Sequence, residues 1–249
     1  MSNLIYDSIT PNASNALMGL AMGDMFGSTF ECLGLSGNLF LLNGIADLPD
    51  HPPVGSFTTD DTFMAVTLLN NVISGWDAAS YHAALAEWSG TELAAYQGIG
   101  THTSMVLNHG YEGTSQGNGC LMAILPAAIF LIDNGYSQEE LTQWMYEVQA
   151  VTQHEANVEA ALFLLGYDVE VNIQQGDSAW VANSLGAVTD ALNNASSMVE
   201  GFQQIVSIGG DTDTNAAIYG AIYSYQNGLE QDPFAGSWSI PASSGVFQV

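Results

Sequence analysis

Two short acidic stretches, Thr58-Thr59-Asp60-Asp61-Thr62 and Gly209-Gly210-Asp211-Thr212-Asp213-Thr214-Asn215, hold the residues best suited to chemistry in this chain. Each joins two carboxylates to flanking hydroxyls, a set of hard oxygen donors that suits Mg2+, with Mn2+ or Ca2+ as alternatives. Carboxylates brought close together repel strongly unless a cation lies between them. Two such clusters, each with glycine ahead of it, therefore read as halves of a single metal site. The alternative is that the four aspartates, which sit just before predicted helices, serve as N-caps, a position that Asp favours.

The rest of the composition sharpens this reading. The sequence has no Lys and no Arg in 249 residues, against 26 Asp plus Glu and five His, for a formal net charge of -26. An ordinary domain is about 25% charged, which would supply roughly 30 Lys or Arg over this length, so chance does not explain their absence. Four pressures could remove them: escape from trypsin-like cleavage, escape from modification, translation without the cognate tRNAs, and deliberate redesign. Redesign is the favoured reading. Only 10% of the chain is charged, so the missing cations were replaced by neutral residues and a high-salt origin is not indicated. The acidic field repels nucleic acid and anionic membranes, and neither is expected as a partner. An anionic ligand must be held by backbone amides, helix N-termini or a bound metal ion.

The elements that position these residues read as helices broken by glycine-rich turns. Apolar spacing marks helices over Asn15 to Phe30 and Asp61 to Ile73. Ser137-Gln138-Glu139-Glu140 is a capping box that opens another. Further helical stretches run from Asp77 to Trp88, Asn157 to Leu165, Ala179 to Leu192, Ser197 to Val206 and Asn215 to Tyr225. Gly34 to Pro53, Gly98 to Gly100, Gly110 to Gly119 and Gly209-Gly210 read as loops that let a backbone approach a ligand. The expected architecture is a compact all-α bundle forming a single domain over residues 1–249, with 231–249 a loosely packed tail pinned by Trp238 and Phe247. No apolar run is long enough to span a membrane, and Cys32 and Cys120 read as free, buried thiols, so a cytoplasmic monomer is expected.

Five segments, in order, resemble the ADP-ribosylglycohydrolases, the family that includes the enzyme reactivating dinitrogenase reductase. Gly19-Leu20-Ala21-Met22-Gly23-Asp24-Met25-Phe26-Gly27 followed by Glu31 resembles its opening glycine-rich helix, and Phe57-Thr58-Thr59-Asp60-Asp61-Thr62 its first metal motif. Gly98-Ile99-Gly100 and Gly117-Asn118-Gly119-Cys120-Leu121-Met122 resemble its ligand-binding loops, and Gly209 to Ala217 with Gly220 its second metal motif. Each glycine motif is weak alone, but the ordered set over about 200 residues is specific.

The resemblance implies an all-helical fold with two Mg2+ ions, Mn2+ being possible, that hydrolyses the glycosidic bond between ADP-ribose and a protein side chain or a small acceptor. It implies Thr59, Asp60, Asp61, Asp211, Asp213 and Thr214 as metal ligands, with Glu31, Asp60 and Asp61 as candidates for catalytic proton transfer. It also implies that Gly98, Ile99, Gly100, Gly117, Asn118, Gly119, Cys120 and Met122 bind substrate, the second loop wrapping the diphosphate and distal ribose. The chain departs from the family at Ala123, where relatives often carry Arg, and at Gln153-His154, where relatives have Thr-His. A gapless reading puts Gln153 in the histidine's place, and His154 serves as a substrate-binding residue only if the turn shifts by one. His51, His82, His102 and His109 read as structural or solvent-facing, and Phe57, Tyr96, Tyr111 and Tyr219 are open choices between core and an adenine stack. Two other readings stand beside the hydrolase: an ADP-ribose-binding protein weakened in turnover, and a redesigned Lys/Arg-free scaffold of this fold.

Overall fold

The computed structural model describes residues 8–31 and 58–229. The expected loop over 34–53 and tail over 231–249, with Cys32, His51, Phe57, Trp238 and Phe247, lie outside the described residues. Among those described, the chain forms helices α1 (Pro11–Glu31), α2 (Asp60–Ile73), α3 (Ala78–Ser89), α4 (Glu92–Tyr96), α5 (Thr101–His109), α6 (Leu121–Asp133), α7 (Gln138–Thr152), α8 (Asn157–Leu164), α9 (Val181–Asn194), α10 (Met198–Ile208) and α11 (Thr212–Asn227). The fold is all-α, as expected. Its extended pairing in the described part consists of isolated bridges, Ser115 with His154 and Gly117 with Trp180. No helix among the described residues is long and apolar enough to cross a membrane.

Local signals account for most helix ends. Pro11 occupies the first position of α1, where its missing N–H costs nothing, and the Thr10 hydroxyl accepts from Ala13 N at 3.3 Å. Thr10 and Asn12 both donate to the Asp133 carboxylate, which ties the start of α1 to the end of α6. The capping box at Ser137 forms as expected: Glu140 N donates to Ser137 Oγ at 3.3 Å and Ser137 N to Glu140 Oε2 at 2.9 Å.

Two boundaries differ from the sequence reading in a way that matters. α2 begins at Asp60 and α11 at Thr212, so Asp60 and Asp213, expected ahead of their helices, join Asp61 in first helical turns. Carboxylates there face the positive end of the helix and its unpaired amides, which favours a start as early as possible. Three helices, α4, α5 and α6, were not marked by periodicity. α6 packs against α1, α2, α7, α8 and α11 and is buried almost all round, so its sequence has no polar face to reveal a period.

The core runs through α1, α6, α10 and α11. Phe26 stacks on Phe202 at 5.6 Å, and Phe202 meets Tyr219 edge-on at 5.6 Å. Tyr219 is fully buried, which removes it from the adenine-stacking candidates. Ala123, where relatives often carry Arg, is fully buried inside α6 as part of the hydrophobic core.

Candidate metal centre

The site is assembled by a close crossing of α1 and α11. A Cβ built on Gly19 would lie 2.2 Å from Gly220 O, one on Gly23 2.0 Å from Ala216 O, and one on Gly27 2.2 Å from Thr212 O. Every fourth residue up α1 thus meets every fourth residue down α11, so the helices run antiparallel with backbones in contact. The Thr212 hydroxyl reinforces the seam by donating to Gly27 O at 2.8 Å. Glu31, the last residue of α1, is carried by this register to the start of α11. Ligand oxygens of Glu31, Asp211 and Asp213 all lie within 4.8 Å of one another, with Glu31 exposed.

The N-terminus of α2 forms the facing wall. Thr59 caps the helix, its hydroxyl 3.4 Å from Asp61 N. Asp24, on α1 and fully buried, accepts from Thr59 N at 2.9 and 3.0 Å, from Thr59 Oγ1 at 2.8 Å, from Thr62 N at 3.1 Å and from Thr62 Oγ1 at 2.5 Å. Asp61 Oδ2 lies 2.9 Å from Thr59 Oγ1 and 3.5 Å from Thr214 Oγ1, so the two sequence clusters meet. Asp61 Oδ1 is buried with no hydrogen-bond partner.

Burial dominates the electrostatics. It raises the carboxyls of Asp24 and Asp211 to about 7, and the Asp213 charge adds to the effect at both. Asp60 and Asp61 are pushed well above the ordinary carboxylate range by burial, then by Asp213 and Asp24. Among the described residues no Lys or Arg is available to compensate, because the sequence has none. The donor set of carboxylate and hydroxyl oxygens, with the orphaned Asp61 Oδ1 among them, fits a hard divalent cation.

The two glycine loops border this cluster. Asp60 N donates to Gln97 O at 3.0 Å, and a Cβ on Gly98 would lie 3.8 Å from Asp60 Oδ1. Ile99 packs against the core, and Gly100 caps α5. In the second loop Asn118 N donates to Ala179 O at 2.9 Å, and the Asn118 side-chain amide donates to Ser184 Oγ at 2.8 Å and to Asp211 Oδ2. Gly119 sits against His154: a Cβ there would meet His154 Nε2 at 2.9 Å, so the loop can lie on the imidazole only with glycine at this position.

Cys120 and Met122 point into the core, since they lie at the start of buried α6; only their backbone borders the loop. Burial lifts the Cys120 thiol to about 12. Gln153 adopts a left-handed conformation at φ 54° and ends α7, and the next residue, His154, turns inward to 4% exposure beneath Gly117 and Gly119. Burial, then the adjacent His102 ring at 4.9 Å, lowers His154 to about 4 and keeps it neutral. His102 is thus part of the loop's support, whereas His82 and His109 are exposed. Tyr96 and Tyr111 are exposed at 66% and 44%, and Tyr111 meets His102 edge-on.

Sequence reasoning passed over two residues that organise the site. Asp24 lies in the glycine-rich stretch of α1, and its signal is a lone acid among Leu20, Met22 and Phe26. Asn157, fully buried, accepts from Leu121 N at 2.7 Å and donates to Gly117 O and Glu155 O at 2.8 Å each, bracing the second loop. Nothing in its local sequence marks it.

The sequence profile of the family described as ADP-ribosylglycohydrolase matches residues 7–167 and 164–239, nearly the whole chain. The chain belongs to the ADP-ribosylglycohydrolase family. Among curated proteins no sequence matches. A solved structure titled "ADP-ribosylglycohydrolase-related protein complex" superposes with a TM-score of 0.68 at 21% identity, covering 94% of each chain. That likeness shows the fold alone. The family points to a glycohydrolase, and the acidic cluster at Glu31, Asp211 and Asp213 is a possible metal site within it.

Proposed function

We propose that this chain hydrolyses the glycosidic bond that joins ADP-ribose to a protein side chain or a small acceptor, in a Mg2+-dependent reaction. The observation that carries the proposal is the convergence of Glu31, Asp211 and Asp213 within 4.8 Å, faced by the acidic N-terminus of α2, in a chain with no cationic Lys or Arg. Thr59, Asp60, Asp61, Asp211, Asp213 and Thr214 are the residues that would hold two ions. Bound there, Mg2+ supplies Lewis acidity toward the ribose hydroxyls and the attacking water.

The protein's own groups do the rest. The amides of Ile99, Gly117 and Asn118 are engaged by Ala94 O, Ser115 Oγ and Ala179 O, so those of Gly98, Gly100 and Gly119 are the ones that would receive the diphosphate, a task that Arg or Lys performs in other phosphate sites. Neutral His154 supports the second loop from beneath and fixes its distance from Asp211 through Asn118. Glu31, exposed at the rim, is placed to take a proton from water as the bond to the anomeric carbon breaks through an oxocarbenium-like transition state. Asp60 and Asp61 are the alternative proton carriers.

The test is incubation with an ADP-ribosylated protein, with and without Mg2+, following free ADP-ribose. Mg2+-dependent release is expected. Binding of ADP-ribose without any release would favour a binding protein that has lost turnover, and neither binding nor release would reject the site.

A further inference from the structure

Asp24 is a carboxylate of the acidic core whose hydrogen bonds all come from another helix terminus. It is 0% exposed, and all its hydrogen bonds come from two residues at the start of α2: the amides and hydroxyls of Thr59 and Thr62. An ordinary cap lies on the helix it caps, and Thr59 already fills that role for α2. Asp24 instead reaches across from α1, the helix whose glycine seam is locked to α11. It therefore sets the height of the α2 terminus relative to Asp211 and Asp213.

The Thr59 hydroxyl makes the consequence chemical. Its oxygen stands between two carboxylates, 2.8 Å from Asp24 Oδ1 and 2.9 Å from Asp61 Oδ2, yet it has one proton to give. If that proton goes to Asp61, the lone pairs point away from the cluster. If it goes to Asp24, the lone pairs face Asp61 Oδ2, an arrangement that is repulsive unless a cation lies between the oxygens. A hydroxyl that ligates a metal must turn its proton away from the ion, and an outer carboxylate is the usual means of fixing that orientation.

We infer that Asp24 is a positioning residue for cation binding: it takes the Thr59 hydroxyl proton, turning the oxygen's lone pairs toward Asp61, and it fixes the α2 terminus through Thr62. The inference rests on the metal-dependent reading above. It assigns Asp24 no contact with the ion or the substrate.

The experiment is titration calorimetry of Mg2+ alone into EDTA-stripped, dialysed protein, with circular dichroism on each sample. Wild type is compared with Asp24→Asn, Thr62→Val and Thr62→Ser. Asp24→Asn directs an amide at donors, and Thr62→Val removes one hydroxyl donor while leaving shape and backbone amide. Both are expected to weaken Mg2+ binding by about 10- to 100-fold, the range for outer-layer changes, with helicity retained. Thr62→Ser, which keeps the hydroxyl, is expected to bind close to wild type. If Asp24→Asn fails to fold, Thr62→Val against Thr62→Ser decides. Folded variants that bind Mg2+ like wild type overturn the role of Asp24, whereas a wild type that binds no Mg2+ overturns the metal reading itself and this inference with it.

Discussion

Asp61 Oδ2 and the Thr214 hydroxyl stand 3.5 Å apart although 153 positions separate them in the chain. Their meeting makes one wall of the N-termini of α2 and α11, two positive helix ends directed at a single cluster of carboxylates. Each terminus offsets part of the local negative charge, but neither reaches Asp61 Oδ1, which is left without a partner. This arrangement has measurable consequences.

Metal should stabilise the fold. A ligand that binds only the native state, at 100 times its dissociation constant, adds about 2.7 kcal/mol, or roughly 5–10 °C for a domain of this length. EDTA is expected to lower Tm by about that amount, with Mg2+ or Mn2+ restoring it. Equal melting curves for protein verified as metal-free and for protein in saturating Mg2+ would remove the metal site.

Asp213→Asn should abolish hydrolysis, by more than the roughly 100-fold that outer-layer changes cost, while leaving helical circular dichroism intact. The side chain lies at the first turn of α11, so the change spares the core. The check is kcat for ADP-ribose release at saturating Mg2+, and a fully active variant would count against the mechanism.

Acidity should stabilise the metal-free protein over an unusual range. Free aspartate titrates at 3.8, but Asp24 and Asp211 are held up to about 7 by burial and then by Asp213. Between these values the folded chain keeps protons that the unfolded chain has released, so stability is full below the lower value and is lost as pH rises through the upper one. His154, lowered from 6.5 to about 4, contributes in the opposite sense, losing stability as pH falls. One imidazole opposes several carboxylates, since Asp60 and Asp61 are also raised. Tm in EDTA is expected to fall from about pH 5 to about pH 8, with Mg2+ flattening the decline. A Tm that climbs across that range without metal would contradict the buried cluster.

Gly23→Ala should separate α1 from α11. The new methyl would lie 2.0 Å from Ala216 O, and a backbone carbonyl inside a helix cannot swing aside. Overpacking typically costs about 1–3 kcal/mol; a backbone clash belongs at the upper end, about 6–12 °C in Tm. Mg2+ affinity should drop as well, because the seam sets the distance from Asp24 to Asp213. Wild-type melting in Gly23→Ala would show that the helices do not touch there.

The helical class was readable because most helices expose one face: the stripes of α2 and the capping box of α7 follow from residue order alone. α6 was not, because burial on all sides leaves an apolar run without period. The aspartates of both clusters were visible through spacing, while their place inside the first turns depended on tertiary neighbours. Gln153 and His154 mark the limit most clearly. That His154 turns inward and Gln153 does not depends on one left-handed residue at φ 54°, a conformation that glutamine does not announce in sequence. Asn157 likewise acts on a loop 36 to 40 positions away, a relation that only the folded chain displays.

The glycine seam also decides when the site can exist. Gly19 and Gly220 are joined across 201 positions, so the entropy of closing nearly the whole chain must be met before their contact yields anything in return. During synthesis α1 emerges with its glycine face and Asp24 unpartnered, and α2 to α10 must pack without the helix that completes the acidic cluster. The last described helix to leave the ribosome, α11, closes the seam and brings Asp211 and Asp213 to Glu31 in one docking step. A nascent chain halted before residue 211 lacks both Asp211 and Asp213 and has no centre, so formation of the core and competence for the cation arrive together.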